Sequence, residues 1–286
     1  MRRKKAISIV CLGLLLFLPA ISKAEKFSLK LSGGMNYLAV GDPNASLKGL
    51  ADFLKDQASQ GGEIPEGDFK EIHFVLNWEG DVVVYLTPRF GISFGSGYIY
   101  GKKGKDVNKI IYIGGRTFTD EVKVSAIPVK LGVYYSLPLS SQARFFLNGG
   151  LAYYFAKWSE AYRNEWSGGF FSSDQKAKAS GIGFYGGVGF ELNLVSHIAF
   201  VLEGQGKYAK IGGFKGDEEF KAFVPGWNLS TKGKVYYFEY FPWTYKWYPM
   251  INILEEEPSG DSIRNVREAK VDFSGFTFRA GIKISF

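Results

Sequence analysis

The chain has 286 residues, is 46% hydrophobic and 17% aromatic, and carries 36 glycines, one cysteine and a formal net charge of +7. A lone thiol excludes intrachain disulfides and cysteine metal sites. Abundant glycine and aromatics at near-neutral mean hydropathy describe many short strands rather than helices.

Residues 1–24 open with Arg2, Arg3, Lys4 and Lys5, continue as an apolar run over 6–21, and finish Ser22-Lys23-Ala24. A basic head, a short oily stretch and a small-x-small end predict a secretory signal peptide, cleaved to leave a domain over 25–286. The oily stretch is shorter than the ~20 residues of a spanning helix. Five of the 35 cations lie here, which leaves 30 against 28 acids, a balance of +2. The basic excess therefore gives no reason to expect a nucleic-acid partner. Cys11 also falls in this segment, after Val10 and before further hydrophobic residues, which is not a lipidation context.

Beyond residue 24 no run approaches ~18 uninterrupted apolar residues, so a membrane-crossing form has to be a closed barrel. Eight segments alternate with the period of a strand. The first, 27–37, turns Phe27, Leu29, Leu31, Met35 and Tyr37 one way and Lys30, Ser32 and Asn36 the other. The second, 78–86, opposes Trp78, Val82, Val84 and Leu86 to Glu79 and Asp81, and the third sets Phe90, Ile92, Phe94, Tyr98 and Tyr100 against small residues. The fourth, 122–137, opposes Ile127, Val129, Leu131, Val133, Tyr135 and Leu137 to Lys130; upstream the apolar phase slips to Val122, Val124 and Ala126. Such a slip beside Pro128 predicts a β-bulge.

The fifth segment opposes Phe145, Leu147, Leu151, Tyr153 and Phe155 to Arg144, Asn148 and Tyr154. The sixth sets Ile182, Phe184, Val188, Phe190, Leu192 and Leu194 against Tyr185, Glu191 and Asn193. The seventh sets Ile198, Phe200, Leu202 and Tyr208 against Glu203, Gln205 and Lys207. The last, 276–286, sets Phe276, Phe278, Ala280, Ile282, Ile284 and Phe286 against Thr277, Arg279, Gly281, Lys283 and Ser285.

Connections alternate between short (87–88, 138–142, 195–196) and long (38–77, 101–121, 156–178, 209–272). Short turns on one rim and long loops on the other are the habit of bacterial outer-membrane barrels. A soluble β-sandwich or lipocalin-like barrel would send its oil inward instead. The predicted fold is all-β: a closed antiparallel eight-stranded transmembrane β-barrel with long extracellular loops and a short helix in the first. The chain resembles the small outer-membrane barrels of the OmpA/OmpX/OmpW-like, opacity-type porin group. That resemblance rests on Val84-Tyr85-Leu86-Thr87-Pro88-Arg89-Phe90-Gly91, on Ile127-Pro128-Val129-Lys130-Leu131-Gly132 and on Phe286. It implies an outer-membrane location after Sec-type export, lipid contacts along the wall, and recognition of Phe286 by the barrel-insertion machinery.

Alternation sends Lys30, Lys130, Arg144, Lys207, Arg279 and Lys283 into the lumen, against Glu79, Asp81, Glu191 and Glu203. An eight-stranded interior is just wide enough for side chains to fill, so these residues are expected to plug it. A charged solute channel is the alternative.

Two loops stand out. Leu47, Leu50, Phe53 and Leu54 recur near helical spacing within 44–58, with Asn44 or Ser46 as the expected cap. The helix reads as a cover for the rim or as a lid over an oily entrance. Residues 235–247 are dense in aromatics. They read as a hairpin above the membrane, as a surface for a hydrophobic small molecule or partner, or as two further strands of a ten-stranded barrel.

No nucleophile–base–orienter set, phosphate loop or calcium loop is present, and no cofactor is expected. The histidines, His73 (near Asp68 and Glu71) and His197, are too far apart to share a metal. The expected function is structural or surface-interacting and not enzymatic. The resemblance adds a narrow conduit for small hydrophobic molecules as an alternative; a lipid-modifying enzyme is a more distant one.

Overall fold

The computed structural model describes residues 27–223, 228–242 and 246–286; the expected export signal lies outside them. Fifteen strands and one helix follow in order. They are β1 (Phe27–Gly41), α1 (Asp42–Gln60), β2 (Glu66–Asp68), β3 (Phe74–Tyr85), β4 (Phe90–Lys103), β5 (Lys109–Ile111), β6 (Thr117–Pro138) and β7 (Ala143–Trp166). After them come β8 (Gly169–Val195), β9 (Ile198–Tyr208), β10 (Lys210–Ile211), β11 (Lys215–Ala222), β12 (Asn228–Tyr240), β13 (Tyr248–Leu254), β14 (Ile263–Glu268) and β15 (Val271–Ser285).

Eight of these strands form a ring. β1 pairs with β3, β3 with β4, β4 with β6 and β6 with β7. β7 then pairs with β8, β8 with β9, β9 with β15, and β15 returns to β1, all antiparallel. The turns at 86–89, 139–142 and 196–197 gather at one rim, here the lower one. β12 pairs only with β11, β13 and β14, so the aromatic stretch lies outside the ring, and the ring has eight members rather than ten.

Around the lower part of the ring the outward residues are apolar and exposed: Leu31, Trp78, Phe94, Leu131, Leu151, Phe184, Leu202 and Phe278 represent the eight strands. Facing inward at the same level are buried polar residues such as Lys30, Asn77, Asp81, Glu203 and Arg279. Higher up the pattern inverts. Val122, Val124, Ala126, Ala156, Trp158 and Ala177 are buried inside, in one cluster with Leu47, Ala51, Leu54 and Ala58 of α1. Outward neighbours there are Lys123, Ser125, Lys157, Lys176 and Lys178.

This inversion corrects the expected bulge at Pro128. β6 pairs with β7 from Thr117 to Pro138 in one unbroken register. The backbone does not slip; the medium on each face does. Below, oil faces out and charge faces in; above, the reverse holds, as in a water-soluble sheet.

The three longest strands, β6, β7 and β8, have 22, 24 and 27 residues. A membrane-crossing strand needs about 9–11, and each of these is at least twice that length. Residues 156–178, expected as a loop, are in fact the upper arms of the β7–β8 hairpin, joined by Ser167-Gly168. The long 209–272 connection is likewise structured. β8 pairs with β9 through its lower residues and with β11 through its upper ones, and β12, β13 and β14 continue the sheet.

The helix is not capped by Asn44 or Ser46. The chain enters it through Val40 (φ 59) and Gly41 (φ 74), with Pro43 in the first turn. The Asn44 side chain instead donates to the carbonyls of Ala39 and Ile72 and accepts from Ile72 N at 2.8 Å. Ser46 Oγ accepts from Ile251 N. Both side chains fasten the helix to neighbouring strands rather than satisfying its own first turn.

Candidate functional site: the charged interior of the ring

The lower interior is built by side chains that period-two alternation aims inward from β1, β3, β6, β8, β9 and β15. Lys30 Nζ lies 3.0 Å from Asp81 Oδ2 and 2.9 Å from Glu203 Oε2. Lys130 pairs with Glu79 and lies 3.7 Å from Asp81 Oδ1. Arg279 joins Glu79 through Nη1 and donates to Glu203 Oε1 through Nη2 at 2.6 Å. Three cations thus meet three carboxylates, and the group is neutral.

A second pair lies nearer the lower rim. Lys283 Nζ donates to both carboxylate oxygens of Glu191, at 2.7 and 2.6 Å, and the Tyr134 hydroxyl donates to the same side chain. Buried ions need this degree of pairing, because removing each from water costs several kcal/mol.

Two expected members stand apart. Arg144 is exposed at the lower mouth, in a recess with His197, Asn193 and Phe286. Lys207 faces inward near the top of the belt and has no carboxylate within ion-pair distance among the described residues. Phe286 stacks on Phe27 with ring centroids 4.8 Å apart, and its N–H donates to Phe27 O, fastening the β1–β15 seam.

Several participants carry no charge: alternation turned Asn148, Tyr185 and Gln205 to this face, and Phe146 was not among the residues it singled out. Asn148 Nδ2 donates to Glu203 Oε1 at 2.7 Å, and Gln205 contacts the same oxygen. The Lys130 ammonium sits 4.2 Å from the Tyr185 ring centroid, and Lys30 lies 5.6 Å from that of Phe146. Room for the long side chains comes from glycine. A Cβ on Gly95, which lies opposite both Asp81 and Lys130, would approach Asp81 Oδ1 to 2.0 Å.

Above the belt the interior holds a different polar group. The carboxyls of Asp120 on β6 and Glu160 on β7 are buried there, two register steps apart on paired strands. Burial pushes Asp120 up to about 7. Burial, and then the charge of Asp120, raise Glu160 well above the carboxylate range. Glu218, nearby, is raised by burial too, although Ser173 and Gln175 donate to it at 2.6 and 3.0 Å.

His73 Nδ1 lies 3.1 Å from Leu38 O, its ring stacks on Tyr37, and Nε2 lies 3.5 Å from Glu71. It sits beside the upper part of β3, whereas His197 is in the lower β8–β9 turn. Among the described residues no group of three or more His, Cys, Asp or Glu side chains is arranged to hold a metal ion.

No family model matches the chain, and no curated protein matches it. Among solved structures, the crystal structure of the outer membrane protein OprG from Pseudomonas aeruginosa is similar over 92% of this chain and 97% of its own. The identity is 13% and the TM-score 0.42.

Proposed function

We propose that the protein is an outer-membrane β-barrel: the eight-strand ring closes as a transmembrane cylinder, ion pairs plug its lumen, and its tall upper storey serves a structural or surface-interaction role. The observation that carries this reading is the inverted lower ring, with exposed Leu31, Trp78, Leu131, Phe184 and Phe278 outside and ion pairs within. In water such a surface would be a very large exposed patch; in hydrocarbon it is the expected wall. Strand edges are hidden because the pairings return on themselves.

The plug follows from neutrality and volume. Four cations and four carboxylates are mutually satisfied inside an eight-stranded cylinder, which has little width to spare. A non-enzymatic role is part of this proposal, supported by His73 being held at the wall by Leu38 O and Tyr37. A conduit for small hydrophobic molecules would need α1 to leave the apolar cluster it helps to fill.

Two measurements test the reading. Nitroxides at Leu131→Cys and at Lys130→Cys, in lipid bilayers, should show the first in contact with acyl chains and the second not; the opposite result overturns the barrel. Planar-bilayer recordings should show no stable conductance of porin size, and one that persists would refute the plug.

A further inference from the structure

We infer that the outer wall, just above the apolar belt on β6, β7, β8 and β11, binds the phosphorylated headgroup of an outer-leaflet lipid; this rests on the membrane reading above. Register places Ser125, Lys157, Lys178 and Lys215 side by side across these four strands. One step higher on the same face, Lys123, Ser159, Lys176 and Asp217 form a second row. All of these residues point outward, because the alternating positions Val124, Trp158 and Ala177 are buried within.

Height is the second argument. The positions directly below on the same face are Ile127, Phe155 and Ser180, with Ile182 the next down on β8; Ile127, Phe155 and Ile182 are exposed and apolar. The lysines therefore begin where the hydrocarbon ends, at the level of headgroup phosphates. A shallow recess of about 240 Å³ lies among them, lined by Tyr100, Lys123, Ser125, Lys157, Lys176 and Lys178.

Charge is the third. Like charges directly opposite each other on neighbouring strands destabilise a sheet, yet Lys157 faces Lys178 and Lys178 faces Lys215. Glu121 is bound to Lys102 and Lys123. Among the described residues Lys157, Lys176, Lys178 and Lys215 have no carboxylate within ion-pair distance. Lys210 on β10, by contrast, has Asp272. A lipid phosphate supplies the missing anions without exposing the belt. Serine hydroxyls and the Tyr100 ring frame it with hydrogen bonds and an apolar edge.

The test uses the full chain in nanodiscs of neutral phospholipid doped with bisphosphorylated lipid A or with its dephosphorylated form, and native mass spectrometry counts the lipid retained. The bisphosphorylated lipid should be preferred, and Lys157→Gln/Lys178→Gln should lose that preference about thirtyfold, at ~1 kcal/mol per lysine near a charged surface. A control, Lys48→Gln/Lys270→Gln, removes two exposed cations that lie off these rows and should retain it. Equal retention of both lipids, or equal loss in both double variants, overturns the inference. So does displacement by millimolar inorganic phosphate, which would mark a free-anion site. A nitroxide at Ile127→Cys reports whether the wall is in lipid, so failure of the barrel reading is seen separately.

Discussion

Arg267 holds Asp42 with both terminal guanidinium nitrogens, Nη1 to Oδ2 at 2.5 Å and Nη2 to Oδ1 at 2.7 Å. Lys270 N donates to the same Oδ2 at 2.7 Å. The start of α1 is thereby tied to the chain just before β15. At the other end of the helix, Asp56 accepts from Lys246 and Tyr248.

Breaking this clamp should loosen the upper storey and leave the belt alone. Arg267→Ala is expected to cost about 1–2 kcal/mol, since the pair is partly exposed. Asp42→Ala should cost more, because the Lys270 amide loses its acceptor as well. Proteolysis within α1 in folded protein, ranked wild type, Arg267→Ala, Asp42→Ala, is the check.

In the lower interior, single and double changes should behave differently. Lys283→Met leaves Glu191 buried and unpaired by a cation, a loss of about 3–5 kcal/mol. Lys283→Met/Glu191→Leu removes both charges and should recover most of it. Urea midpoints in detergent decide; a double variant as unstable as the single one would mean that the pair is not isolated from the larger network.

Gly95→Val should unseat the plug from a position that bears no charge. Its side chain would occupy the place of Asp81 Oδ1, forcing Asp81 away from Lys30 and Lys130. The expected result is a lower urea midpoint, with an open lumen if the strands still pair. Gly62→Ala, at an exposed turn with no atoms near its would-be Cβ, should cost far less, and only through its φ of 76°.

The upper storey should weaken as pH rises. Asp120 and Glu160 hold protons in the folded chain at pH values where the unfolded chain has released them. Their contribution is thus complete below about pH 4 and declines as pH rises through about 7 for Asp120. Hydrogen-exchange protection in 117–124 and 158–164, after correction for the intrinsic pH dependence of amide exchange, should be greater at pH 5 than at pH 8. Asp120→Asn should flatten that dependence.

Much of this was legible in the residues. Alternation located all eight ring strands and the faces of Lys30, Glu79, Asp81, Lys130, Glu191, Glu203, Arg279 and Lys283. It failed where one face changes its surroundings: Val122, Val124 and Ala126 read as a slipped phase because a single outward medium was assumed along the strand. Residues 156–178 read as a loop for the same reason, since Lys157, Lys176 and Lys178 belong on a wetted face. Pairing partners are non-local, so nothing near β11 announced that it would lie against β8. The helix cap was misjudged because Asn44 finds better partners in Ala39 and Ile72 than in its own first turn.

The unbroken register of β6 against β7 makes the chain far more sensitive to deletion than to substitution. Removing one residue near Pro128 would rotate everything beyond it by half a turn, wetting Val122 and Val124 while pressing Lys123 into oil. Removing two would merely shorten the wall, so tolerated length changes in this arm should come in even numbers.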